Sequence, residues 1–211
     1  MDTGPARHLH PAVRVGRNEW SCGRREVVLR ALLLGLLVVL ALPCRAAGSA
    51  AVAPQRVEAA FLRNFARYVT WPDEAFPSAD SPWKICILGD DPFGDVLERT
   101  LEGRTEQGRT FEVYRAADLA NVPSCQIVFV AIQDPVKRRA VLRELRSRPV
   151  LTVGDDPGFL REGGIIRFQV SDRVEMSVNL DQARSVSLKI QTKMLEVSRD
   201  VLENGAIRRI K

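Results

Sequence analysis

Histidine is almost absent from this chain of 211 residues: there are two, His8 and His10, and both lie ahead of residue 46. From residue 47 onward no imidazole is available, which excludes a Ser-His or Cys-His nucleophile and the commonest zinc ligand sets. Long apolar runs are also missing. The run at residues 31–42 (ALLLGLLVVLAL) has 12 residues, well short of the roughly 20 that a bilayer-spanning helix needs. No Gly-rich turn is followed by Gly-Lys-Ser/Thr, so there is no phosphate loop. Low-complexity segments and composition shifts that would mark a second domain are lacking too.

The short apolar run is informative in its place. Arg24, Arg25 and Arg30 precede it, and Pro43, Cys44, Arg45 and the small residues Ala46, Ala47 and Gly48 follow. This order is that of a secretory signal peptide, and it predicts a leader over residues 1–46, cleaved between Ala46 and Ala47, ahead of one domain over 47–211. Retention of the run as an anchor is the alternative.

Removing the leader takes seven of the 31 basic residues and three of the 26 acidic ones, leaving 24 against 23. A nearly neutral domain lacks the basic footprint of a nucleic-acid binder, so no nucleic acid is expected as partner. Of the four cysteines only Cys86 and Cys125 survive export. In an oxidising compartment they predict one disulfide, whose closed loop is worth about 4 kcal/mol by chain entropy. Two buried free thiols are the alternative.

Along the mature chain, apolar runs at 84–88, 110–114, 126–132 and 150–153 read as strands, with helical patterns at 92–101 and 135–146. Continuous apolar strands separated by helices imply a mostly parallel sheet covered on both faces. Two alternating segments, 165–170 and 174–178, flank the polar turn Ser171-Asp172-Arg173 and predict a C-terminal antiparallel hairpin. Asn179 caps a last helical region in which Ala183, Val186, Ile190, Met194, Val197 and Val201 recur at spacings of three and four until Gly205, although 186–190 reads equally well as extended. The expected fold class is α/β: a single domain with a mostly parallel central sheet, a C-terminal antiparallel hairpin, and helices on both faces.

Three features are candidates for function. The near-repeat Gly89-Asp90-Asp91-Pro92 and Gly154-Asp155-Asp156-Pro157 follows an apolar strand each time. Helix capping explains it best, with Asp before Pro at a helix start, and a metal or cationic ligand is the other reading. Arg56, Arg63 and Arg67 share the polar face of a helix ending near Tyr68; a solvated face competes there with an anionic partner surface. Within the same helix Asn64 sits among Val57, Phe61, Phe65 and Tyr68, and Trp71-Pro72 cut the helix off. A buried amide needs partners, so Asn64 is expected to bond backbone groups at a strand or loop end, and Trp71 to plug the core with a partner for its N–H.

The order of blocks FLRNFARYVTWP (61–72), ICILGDDPFG (85–94), PVLTVGD (149–155), Gly158-Phe159, Gly163-Gly164 and NLDQARSVSLKIQTKMLEV (179–197) resembles the YfiR family of periplasmic regulators, across about residues 57–201. The chain departs from many members at Met176-Ser177 and Gln191-Thr192. The resemblance makes Asn64, Tyr68, Trp71, Pro72, Gly89, Phe93, Gly154, Asp155, Gly163 and Gly164 family-motif positions, structural or binding. It implies a non-enzymatic periplasmic repressor without cofactor or metal. The implied partner is the periplasmic domain of an inner-membrane diguanylate cyclase, with an OmpA-like outer-membrane lipoprotein as a second partner and a homodimer as an open alternative. Arg63, Arg67 and Phe159 are the candidate partner contacts. The competing reading is a periplasmic small-ligand sensory or solute-binding module feeding another signalling system.

Overall fold

The computed structural model describes residues 53–210. The expected leader and the bond between Ala46 and Ala47 lie outside the described residues. Among the described residues no helix is long and apolar enough to cross a membrane.

Helix α1 (Pro54–Tyr68) starts on Pro54, where a fixed φ and a missing N–H cost nothing. Ala59, Leu62, Phe65 and Ala66 form its buried stripe. The chain leaves it as β1 (Val69–Thr70), since β-branched residues favour extended backbone and Trp71 precedes a proline. There follow β2 (Trp83–Gly89), α2 (Val96–Leu101), β3 (Phe111–Ala116), β4 (Ile127–Ala131), α3 (Pro135–Leu145), β5 (Leu151–Gly154), β6 (Ile166–Val170) and β7 (Val174–Asn179). The C-terminal part holds α4 (Leu180–Ser185), β8 (Lys189–Ile190), α5 (Thr192–Glu196), β9 (Asp200–Glu203) and β10 (Ala206–Arg209).

Eight strands make one sheet in the order β10-β9-β7-β6-β5-β4-β2-β3, and β1 pairs separately with β8. Strands β2 to β6 run parallel, as their apolar runs predict. The expected hairpin is β6–β7, antiparallel with Phe168 opposite Met176. On one face Ile85, Ile87, Phe129, Leu151, Val153, Ile166 and Phe168 pack under α1, α2 and α4. On the other, Cys86, Leu88, Val128, Val130 and Phe159 pack under Leu142 and Leu145 of α3. Helices thus cover both faces of a single α/β domain.

Three local expectations are corrected. The helix expected from residue 92 starts at Val96, because Asp91 accepts from the N–H groups of Phe93 and Gly94 and closes a turn there instead. No helix starts at Asp156; its carboxylate accepts from Gly158 N at 2.7 Å and caps a run of turns over 157–163. The long last helix does not exist. Asn179 does cap a helix, accepting from Gln182 N, but α4 stops after six residues. Lys189-Ile190 are then drawn to β1, and Val201 lies in β9, paired with Val178 of β7. Gly205 is a turn residue. Asn204 and Gly205 have φ of +54° and +73°, the two-residue geometry of a tight hairpin.

Candidate functional site

The C-terminal half of α1 carries Phe61, Asn64, Phe65 and Tyr68 at spacings of three and four, so all four project from one stripe. That stripe faces β7 and α5 and encloses a cleft of about 260 Å³, completed by Met176, Lys193, Met194 and Val197. Aromatic packing fixes its wall: Phe168 lies 5.6 Å from Phe61 and 6.1 Å from Phe65, centroid to centroid. Met176 and Met194 are buried, whereas Val197 is 51% exposed at the rim.

Asn64 does not bond strand or loop backbone as expected. It is half-buried in the cleft lining, and its one hydrogen bond among the described residues is the 3.5 Å contact from Arg63 Nη2 to its Oδ1. The helix-spacing argument put Asn64 on the inward stripe correctly, but at that point the stripe meets an opening instead of a strand end. Tyr68 lines the same cleft.

Trp71 is the core plug that the sequence predicts. It is buried, donates from Nε1 to Gln126 O at 3.2 Å, and stands edge-on to Trp83 at 5.0 Å. Pro72 opens the short turn Asp73–Ala75. Sequence reasoning missed Gln126, whose buried amide accepts from Lys84 N and donates to Ala75 O. It locks the post-helix segment onto the strand ends.

The remaining motif residues belong to the packing. Gly89, at φ +93°, sits where an added Cβ would come within 2.6 Å of Ala131 O, so β2 and β4 close together only around glycine. Phe93 packs edge-on to Phe129 at 4.9 Å. Phe159 is fully buried and cannot be a partner contact, which corrects the expectation. Its ring fills the space over Gly154 and Gly164, where a Cβ would collide with it, and Gly163 precedes that seat. Cys86 and Cys125 form the expected disulfide, with Cα atoms 6.1 Å apart across 39 residues.

The two Asp-Asp-Pro segments hold arginines. Asp91 binds Arg115 Nε at 2.7 Å, and Arg115 also reaches Gly94 O and Glu98. Asp156 binds Arg138 at 3.1 Å. Arg138 is buried and is further satisfied by Glu162 Oε2 at 2.7 Å and by the carbonyls of Ile132 and Gln133. The carboxylates of Asp91 and Asp156 are therefore committed to internal clamps. No group of three acidic, cysteine or histidine side chains placed for a metal occurs among the described residues.

Of the three helix arginines, Arg67 makes a two-point contact with Glu106 at 2.7 and 3.1 Å. Arg63 is half-buried with an unpartnered Nε. One charged group was not anticipated at all. Glu58 on α1 is buried, and burial, reinforced by the charge of exposed Asp155, pushes its carboxyl up to about 7.

A family model described as YfiR/HmsC-like matches residues 55–199, from the start of α1 to the residue before β9.

Proposed function

The chain belongs to the YfiR/HmsC-like family, and on that premise we propose that it is a repressor. It binds the periplasmic sensor domain of an inner-membrane diguanylate cyclase and holds the cytoplasmic cyclase off, lowering cyclic di-GMP and biofilm formation. Family membership carries the coarser statement, a periplasmic regulator in cyclic di-GMP signalling. The Cys86–Cys125 disulfide is consistent with an oxidising compartment. An OmpA-like outer-membrane lipoprotein that captures the repressor would relieve the block by mass action. Regulation then rests on a higher affinity for the inactive cyclase than for the active one.

The observation that supports a binding role is the α1–α5 cleft. Its volume of about 260 Å³ falls below the roughly 300–1,000 Å³ of ordinary ligand pockets. It suits one apolar or aromatic anchor side chain from a protein better than a free solute. Such an anchor in a desolvated pocket is where interface energy concentrates.

Deleting the gene should raise cyclic di-GMP and surface attachment. An exported copy should restore both, and a copy lacking residues 1–46 should not. Val197→Glu changes an exposed rim residue, so it should leave the fold intact while weakening capture of the cyclase sensor domain and releasing repression. Unaltered cyclic di-GMP in the deletion strain, with the cyclase expressed, refutes repression.

A further inference from the structure

The geometry points to the free edge of β10 as a docking strand, and we propose that an extended acidic segment of a partner protein adds there as a further strand of the sheet. Strand β10 ends the strand order, so one side of its backbone has no neighbouring strand among the described residues. Which groups face out follows from the pairing. Ile210 N donates to Arg199 O at 2.8 Å, and Arg208 pairs with Val201 and Ala206 with Glu203 across the two-residue turn. Backbone direction alternates along an antiparallel strand, so Ala206, Arg208 and Ile210 point at β9, and the N–H and C=O of Ile207 and Arg209 point away from the sheet.

The edge is open and held in shape. All four residues of β10 are exposed, Ile207 by 63%, the strand contains no proline, and no loop among the described residues covers it. Asp181 accepts from the N–H groups of Asn204 and Gly205, both at 2.8 Å. Arg184 pairs with Glu203 at 2.7 Å. The hairpin is thereby fixed to α4, which lowers the ordering cost of adding a strand.

Charge selects the occupant. Arg208 has no ion-pair partner among the described residues, and Arg209 reaches only Asp200, at 3.4 Å, with its side chain 67% exposed. Successive residues of a strand project to opposite faces, so the edge presents a guanidinium above and below the sheet. Two copies joined along this strand would set arginines against arginines, which is unfavourable. A strand with adjacent carboxylates meets both. The other edge, β3, has no such free cation, because Arg115 is engaged by Asp91 and Glu98. The hairpin lies beyond the matched residues 55–199, and the argument stands on its geometry without the cyclase reading.

The test uses a short synthetic peptide of valine and threonine with two adjacent glutamates at its centre, and its counterpart with two lysines. Added to the isotope-labelled protein, the acidic peptide should shift the Ile207 and Arg209 amide resonances and slow their hydrogen exchange. The Arg208 amide, already bonded to β9, should change less. Ile207→Pro removes an outward N–H without touching a hairpin hydrogen bond and should weaken binding by about tenfold or more. Arg208→Glu with Arg209→Glu, which leaves the backbone intact, should transfer preference to the lysine peptide. Equal binding of both peptides, protection appearing on β3, self-association through β10, or no binding at all each overturns the proposal.

Discussion

Replacing Glu58 with glutamine tests how much a buried carboxyl costs this fold. Glu58 occupies the second turn of α1 with 6% of its surface exposed, and its folded pKa is raised from 4.5 to about 7, first by burial and then by the charge of Asp155. Because the folded value lies above the unfolded one, the native state keeps the proton between about pH 4.5 and 7 while the unfolded chain releases it. Stability therefore falls as pH rises through that window. That rise corresponds to about 3 kcal/mol once the group is fully ionised. Glu58→Gln keeps the shape and cannot ionise. Urea melts of wild type and variant should agree, apart from a constant offset for the amide's own fit, near pH 4, and should diverge by about 3 kcal/mol in the variant's favour near pH 8. Asp155→Asn should recover the smaller part of that difference. A wild-type-minus-variant difference that stays flat across the range would refute the reasoning, since every other titrating group cancels in the comparison.

Trp71→Ala should cost about 3 to 5 kcal/mol in denaturant melts, because it opens a cavity beside Trp83 and removes one of the two hydrogen bonds that Gln126 O accepts, leaving only that from Leu151 N; unchanged stability with lost partner capture would move Trp71 to an interface. Cys86→Ser should remove about 4 kcal/mol under non-reducing conditions and add nothing in the presence of reductant, and intact-mass analysis after alkylation should find no free thiol in the native protein. Arg138→Met should destabilise by about 3 to 5 kcal/mol, since Glu162 and Asp156 lose their shared counter-charge, with the loss visible as faster hydrogen exchange over 156–163. Asp181 is held below the usual carboxylate range by the Asn204 and Gly205 N–H groups, so its support of the β9–β10 hairpin is present above its unfolded pKa and is lost as pH falls through its folded one; exchange of those two amides should accelerate on acidification, and Asp181→Asn should flatten that response.

The parallel strands, α1, α3, the β6–β7 hairpin, the disulfide and the core role of Trp71 were legible in the sequence, because each is signalled by local period or by chemistry that survives removal from context. Apolar runs too short for helices, Pro at a helix start, and two cysteines in an exported chain mean much the same in any neighbourhood. The C-terminal region was not legible in this way. Ala183, Ile190, Met194 and Val201 fit a helical repeat, yet pairing with β1 and β7 outweighs that period. Gly205, read as the end of that helix, is instead the second residue of the tight Asn204-Gly205 turn between β9 and β10.

The site divides along the same line. Sequence alone placed Phe61, Asn64, Phe65 and Tyr68 on one inward stripe, because helix geometry fixes which residues share a face. Whether that stripe meets a strand or an opening depends on where α5 and Met176 come to rest. The burial of Phe159 was likewise decided by Gly154 and Gly164, ten residues apart in sequence and together only in the fold. The counter-charges of Asp91 and Asp156 come from Arg115 and Arg138, 24 and 18 positions away. Local rules assign conformation and facing to a residue, but its dielectric surroundings and its partner are supplied by chain segments that only folding brings close. For that reason the sequence determined the parallel strands, α1, α3, the β6–β7 hairpin and the stripe, while the tertiary structure alone decided the C-terminal strands, the raised Glu58 carboxyl, the cleft and the exposed arginine edge of β10.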